Sequence, residues 1–286
     1  MPGRVHLRIE IPLARSLASA QNRPCFGKLV DMPSHRPLRT SDLARAVGVH
    51  PNTIRLYEAW GFLPSVPRTP SGYRIFSEAH LDQMRLARLA LHGGWPGRSI
   101  RQSALALVRR AAAGDLEEAL QQAHHHVALV QAERAQAHEA ADYLERWANG
   151  QTHARKRPPL PIREAARALG VTPDVLRNWE KNGLLHVPRA PHNRYRLYGA
   201  PELGRARVIR LLSRAGYSSM AILRMLYQLD AGQKEGLRLV LDTPRPDEDV
   251  LTAADRWLST LAEQAWRARH MIRMLEAMQR KQRSRR

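Results

Sequence analysis

From Leu38 onward the apolar positions fall into short clusters divided by glycine and proline. Thr40 or Ser41 can cap a helix that carries Leu43, Ala44 and Val47 and stops at Gly48. His50-Pro51 opens a second helix, running to Trp60 and closed by Gly61. Proline suits its first position, where the missing N–H costs nothing. Helix, tight turn, helix is the helix-turn-helix pattern. Two extended pieces follow, around Val66-Pro67-Arg68 and Tyr73-Arg74-Ile75-Phe76, joined by the turn residues Thr69-Pro70-Ser71-Gly72. That hairpin is a wing. Ser77 then caps a helix through Leu81, Met84, Leu86 and Leu89 that breaks at Gly93-Gly94.

The same order returns 122 positions later. Gly48 matches Gly170, Arg55 matches Arg177, Glu58 matches Glu180 and Gly61 matches Gly183. Helices are expected from Ile162 to Leu169 and from Pro173 to Glu180, with a hairpin from Val187 to Tyr198. A helix through Leu203, Val208, Leu211 and Leu212 then ends near Gly216. A period this long marks a duplicated domain, since solenoid units run to roughly 20–50 residues. Two copies of a DNA-reading unit let one chain do the work of a symmetric dimer.

A long helical stripe follows each copy. The first carries Leu116, Leu120, Ala123, Val127, Val130, Ala137, Ala141 and Leu144, interrupted by Arg134. The second carries Leu251, Ala254, Leu258, Leu261, Ala265, Ala268, Ile272 and Leu275. Steps of three and four predict a coiled-coil seam; the alternative is an amphipathic helix lying on its own domain. The helix from Asp115 to Ala148 would span about 50 Å. Linker 150–160 is basic and Pro-rich and reaches at most roughly 40 Å. It can therefore join an antiparallel pair within one chain but not a parallel one.

The expected fold is mainly α: two winged helix-turn-helix units, each followed by a long helix, the two long helices forming an antiparallel coiled coil. The expected division is a disordered extension at 1–36, a first winged unit at 37–114 and its long helix at 115–149. Linker 150–160, a second winged unit at 161–246, a second long helix at 247–279 and a loose basic tail at 280–286 complete it.

Charge narrows the function. The 286 residues carry 46 lysines and arginines against 26 acids, a net charge of +20. A polyanion, by default nucleic acid, neutralises such a chain, although a merely solvated basic surface is the bland alternative. The single cysteine, Cys25, excludes an intramolecular disulfide framework and a multi-thiolate metal site within one chain. No apolar run is long enough to span a membrane, and the first residues do not read as a signal peptide, so a cytoplasmic, nucleoid-associated protein is expected. Met32-Pro33 resembles a natural start, which would make residues 1–31 a mis-assigned extension.

Thr53-Ile-Arg-Leu-Tyr-Glu58, Gly61-Phe-Leu-Pro64, Arg68 and Gly72-Tyr-Arg-Ile-Phe76, ahead of a long helix, resemble the MerR family of transcription regulators. A more degenerate version follows in Val175-Leu-Arg-Asn-Trp-Glu180, Gly183-Leu-Leu185, Arg189 and Arg194-Tyr-Arg-Leu-Tyr198. The resemblance runs from Leu38 to about Gln279, as two halves in tandem. It implies promoter binding by two wing-plus-helix units, one per half-site, with kinking and undertwisting of double-stranded DNA that lets RNA polymerase engage. Ordinary members carry one such half and dimerise through the long helix, so a monomeric pseudo-dimer is expected here, with a homodimer as the alternative.

In the first copy His50, Asn52, Thr53 and Arg55 lie where base edges are met. Arg55 can pair with guanine or grip a phosphate. Tyr57 can reach a phosphate or pack under the wing; Glu58 reads as the tie between helix and wing. Arg68, Tyr73 and Arg74 are the wing's phosphate candidates, Tyr73 being equally a core candidate, while Ile75 and Phe76 read as filler. The matching second-copy candidates are Thr172, Asp174, Arg177, Asn178, Arg189, Arg194, Tyr195 and Arg196. Asp174 puts a negative charge in the reading helix, and Arg194 stands where the first wing has Gly72. These differences point to an asymmetric operator, or else to a second unit kept only for pairing.

Other features point to less. Consecutive residues His124-His125-His126 face about 100° apart on a helix and cannot share one ion. No cofactor is implied. Any effector would bind near Trp95, Trp147, Tyr217 or Trp257, all of which packing explains as well. No catalytic constellation, phosphate-cradling loop or metal-ligand spacing marks an enzyme. A sequence-specific regulator is the leading expectation. An architectural DNA-binding protein comes second and a protein-docking adaptor third.

Overall fold

The computed structural model describes residues 37–91, 97–151, 158–244 and 253–284. Helix α1 (Thr40–Val47) ends on Gly48, whose φ of 66° makes a left-handed cap. Its start departs from expectation. Arg39 holds the N-cap position, and its amide donates to the Asp42 carboxylate at 3.0 Å; Thr40 and Ser41 lie inside the first turn. An acid in the first turn takes up an orphan donor and suits the positive helix end, so no hydroxyl is needed there. Helix α2 (Pro51–Ala59) begins after His50, whose ring nitrogen accepts from the Asn52 amide at 3.2 Å. Helix α3 (Glu78–Leu91) follows the wing. Residues 92–96, with Gly93, Gly94 and Trp95, lie outside the described residues.

The second copy reproduces this plan at the same offset. Helix α6 (Ile162–Leu169), α7 (Pro173–Lys181) and α8 (Ala200–Arg214) match α1, α2 and α3. The cores match position by position. Leu43, Ala44, Ile54, Leu63, Phe76, Leu81 and Met84 form one buried cluster; Ala165, Ala166, Leu176, Leu185, Tyr198, Leu203 and Ala206 are all buried 122 residues on. The second set is smaller: Leu43 gives way to Ala165 and Met84 to Ala206, while Phe76 to Tyr198 adds only a hydroxyl. In each copy an extended segment pairs with the wing's return strand. Leu38 bridges Phe76 in the first, and β1 (Leu160–Pro161) pairs antiparallel with β2 (Leu197–Tyr198) in the second. Leu160, expected to close the linker, belongs to that strand.

Three helices that the sequence analysis passed over complete the heads. Helix α4 (Arg98–Ala112) buries Ile100, Ala104, Leu107, Val108 and Ala111. Buried Gln83 ties it to the first head, donating to the carbonyls of Phe62 at 3.0 Å and Val108 at 2.9 Å. Helices α9 (Ser219–Asp230) and α10 (Leu237–Asp242) cover the second head. Arg224 locks them together by donating from Nε to the Val240 carbonyl at 2.8 Å.

The two long helices, α5 (Leu116–Ala148) and α11 (Trp257–Arg283), run antiparallel. Gln279, near the end of α11, donates to the carbonyl of Leu116 at the start of α5. Leu116, Ala119 and Ala123 share a cluster with Ala268, Met271 and Leu275, whereas Ala137 and Leu144 share another with Trp257, Leu261 and Ala265. Trp257, Gln264 and Met271 are buried where Leu258 and Ile272 were expected; those two are half-buried. The buried face is thus wider than the narrow seam, because each long helix also packs on the heads. Leu251 lies outside the described residues. The expected tail is corrected too: α11 stays helical to Arg283, and Lys281 pairs with Asp82 of α3 at 2.7 Å.

Each head therefore sits where one long helix starts and the other ends. The second head is held by Tyr217, whose hydroxyl donates to the Ala137 carbonyl at 3.1 Å, and by the Trp257 indole, which donates to Ala215 at 2.5 Å. Gly216 has a φ of 97°, and any side chain there would run into the Trp257 ring. These aromatics, along with Trp147 packed on Gly204, are structural. Among the described residues no helix is long and apolar enough to cross a membrane.

Candidate nucleic-acid interface

Helix periodicity sorts α2 into two faces. Ile54 points into the core, while Asn52, Arg55, Leu56 and Ala59 are exposed together on the opposite side. His50 is exposed at the N-cap and Thr53 is half-buried beside it. Arg55 donates to Asn52 Oδ1 at 3.1 Å, which holds the guanidinium over the helix start. Tyr57 resolves toward packing. Its ring meets Phe62 edge-on at 5.6 Å, and burial raises its hydroxyl pKa. Arg109 of α4 caps the other side of Phe62 at 5.5 Å, a cation–π contact.

Glu58 faces the wing rather than the exposed surface. Its carboxylate accepts from Arg74 Nε at 2.6 Å and lies 3.8 Å from Arg68. The antiparallel bridge between Arg68 and Arg74 fixes the hairpin that carries both. Two wing cations expected on phosphate thus serve first as the clamp that sets the wing's angle. Arg74 is the more committed; Arg68 stays half exposed and also donates to the Gly72 carbonyl at 3.5 Å. Tyr73 is 74% exposed, which removes it from the core.

The second head repeats the clamp. Glu180 accepts from Arg196 at 2.5 Å and pairs with Arg189 at 3.3 Å. That hydrogen bond raises the Arg196 pKa further. Tyr195 is 70% exposed, as Tyr73 is. The wing turn is one residue longer than in the first copy: the Ala190 amide donates to Tyr195, against Thr69 to Tyr73. Arg194 occupies the left-handed region, with φ of 58°, where Gly72 has 83°.

On α7, Thr172 caps the helix by accepting from the Val175 amide. Asp174, the expected liability, lies 2.5 Å from Arg177, so its charge is compensated within the helix. Asn178 is exposed and accepts from Asn182 at 3.2 Å. Lys181 extends the same face. Leu56, Ala59 and Lys181 were missed by the sequence analysis, although the three- and four-residue spacing from Asn52 and Asp174 places them on the same exposed faces.

The histidine triple divides as its spacing requires: His124 and His125 are exposed and His126 is buried. Neither ring nitrogen of His126 has a hydrogen-bond partner, and burial, aided by neighbouring His125, lowers its pKa to about 4.

Comparison with known proteins follows the same two-part division. The model for MerR family regulatory proteins matches residues 39–76, and that for MerR HTH family regulatory proteins matches residues 160–229. The chain is similar to the mercuric resistance operon regulatory protein of Bacillus cereus, 38% identical over 50 residues, 18% of this chain and 38% of that protein. It also resembles the HTH-type transcriptional regulator ZntR of Escherichia coli K12, 34% identical over 64 residues, 22% of this chain and 45% of that one. The HTH-type transcriptional regulator CueR of Escherichia coli O6:H1 is 33% identical over 58 residues, 20% of this chain and 43% of its own. The chain spans less than half the length of each of these relatives. No solved structure matches it. With one such match in each half, in the order the fold repeats them, the chain resembles two MerR-type regulatory units in tandem.

Proposed function

We propose that the chain is a sequence-specific, DNA-binding transcription regulator whose two unequal heads grip one promoter duplex, the chain acting as its own dimer. Two clamped reading helices held at opposite ends of one rod carry this reading. Trp257 bonds the second head and Lys281 the first. At 1.5 Å per residue those anchors on α11 lie roughly 36 Å apart, and the reading requires the two helices to meet half-sites one helical turn apart, at about 34–36 Å. The net charge of +20 supplies the sequence-independent part of the affinity. Distortion of the DNA, engagement of RNA polymerase and the supercoiling of the long helices into a coiled coil belong to the same proposal. So does the division into two winged units, two long helices and a linker. The chemistry needs no cofactor.

Competition binding tests it. A site selected from random duplexes should outcompete bulk genomic DNA at least 1,000-fold at moderate salt. Binding that random DNA competes away equally would leave an architectural protein with weak sequence preference instead. Indifference to DNA at low salt would leave an adaptor.

A further inference from the structure

We infer that the two heads read different base edges: Leu56 makes the first a reader of a thymine methyl group, and Asn178 makes the second a reader of an adenine edge. This rests on the DNA-binding reading above. The two reading helices are matched in length, each nine residues with proline at its start, and each is seated on the same core position, Ile54 or Leu176. Positions 56 and 178 therefore occupy the same place relative to any groove the heads enter.

The flanking arginines do not distinguish the heads. Arg55 is held by Asn52 at 3.1 Å and Arg177 by Asp174 at 2.5 Å, each by an acceptor three residues earlier. Discrimination then falls on the residues beside them. Leu56 is 46% exposed on the reading face and belongs to none of the three buried clusters or their fringes. It has no group to donate or accept a hydrogen bond. The C5 methyl of thymine is the only apolar group that the major groove offers to such a side chain. Ala59, one turn on, keeps the same face apolar.

Asn178 presents the opposite chemistry. Asn182 donates to its Oδ1 at 3.2 Å, which orients the amide and leaves its own NH2 free to donate. The second lone pair on that oxygen and the free NH2 match adenine N6 and N7. Lys181 replaces Ala59, so no apolar stripe runs along this helix.

The test uses the full chain and a site selected from random duplexes. Each thymine in that site is replaced in turn by deoxyuridine, which removes only the methyl group, and each adenine by 7-deazaadenine, which removes N7. The expected result is an affinity loss of about fourfold at one or two thymines of one half-site. That loss should vanish in Leu56→Ala and in Leu56→Asn. In the other half-site, 7-deazaadenine should cost tenfold or more, and Asn178→Leu should abolish that sensitivity. Thymine and uracil binding alike throughout, or an unchanged methyl effect in Leu56→Ala, overturns the inference while the selected site still upholds DNA reading. If no site is selected over random DNA, the reading beneath it fails first.

Discussion

At the scale of single residues, the acid at the end of each reading helix does more than its sign implies. Glu58 and Glu180 would be repelled by a duplex, yet each gathers two wing arginines and so fixes the angle between helix and wing. Glu58→Gln adds a positive charge overall, which by electrostatics alone should tighten DNA binding. The clamp argument expects the reverse: about 1 kcal/mol lower stability by denaturant melting, given the partial exposure of the pair, and weaker binding by fluorescence anisotropy. Arg194 is a second case. A left-handed arginine stores strain that the glycine of the first wing avoids. Arg194→Gly should raise stability by about 0.5–1 kcal/mol while weakening DNA affinity and reducing the slope of log K against log salt by about one.

At the scale of elements, the long helices are parts of a core rather than freestanding rods, and His126 shows the consequence. It occupies a buried turn of α5 with both nitrogens unpartnered, and its pKa stands near 4 against an ordinary 6.5. The fold favours the neutral ring, so unfolding takes up a proton between those values. Stability contributed by the neutral ring is therefore complete above about pH 6.5 and is lost as the pH falls toward 4. In urea melts, wild type should lose about 2 kcal/mol relative to His126→Leu between pH 7.5 and pH 5. Parallel pH profiles would remove His126 as the cause. Helices α4, α9 and α10 lie beyond the helix-turn-helix and wing, and only their apolar periodicity marks them in the sequence.

At the scale of the whole molecule, the reciprocal packing of each head on the far end of the other half's long helix predicts a self-contained unit. Sedimentation should give one species near 32.5 kDa, independent of concentration in the micromolar range. A species near 65 kDa would show that the long helices pair across chains. Trp257 belongs to this scale because it joins α11 to the turn at Gly216. Trp257→Ala should cost about 3–5 kcal/mol, read by thermal or urea melting, and should loosen the second head more than the first.

The sequence alone determined the elements whose causes are local: the glycine and proline turns, the two reading helices, the wings, and the offset that repeats all of them with the same buried positions. Those follow from backbone permissiveness and from helical period, both of which a single chain displays. Only the tertiary structure decided which charges are spent inside the molecule. Arg74 and Arg196 look like phosphate ligands in the sequence, but their partners stand sixteen residues away across a turn. The width of the long-helix seam was likewise set by contacts between segments far apart in the chain, such as Asp82 with Lys281. Spacing within one helix cannot reveal what will be packed against it.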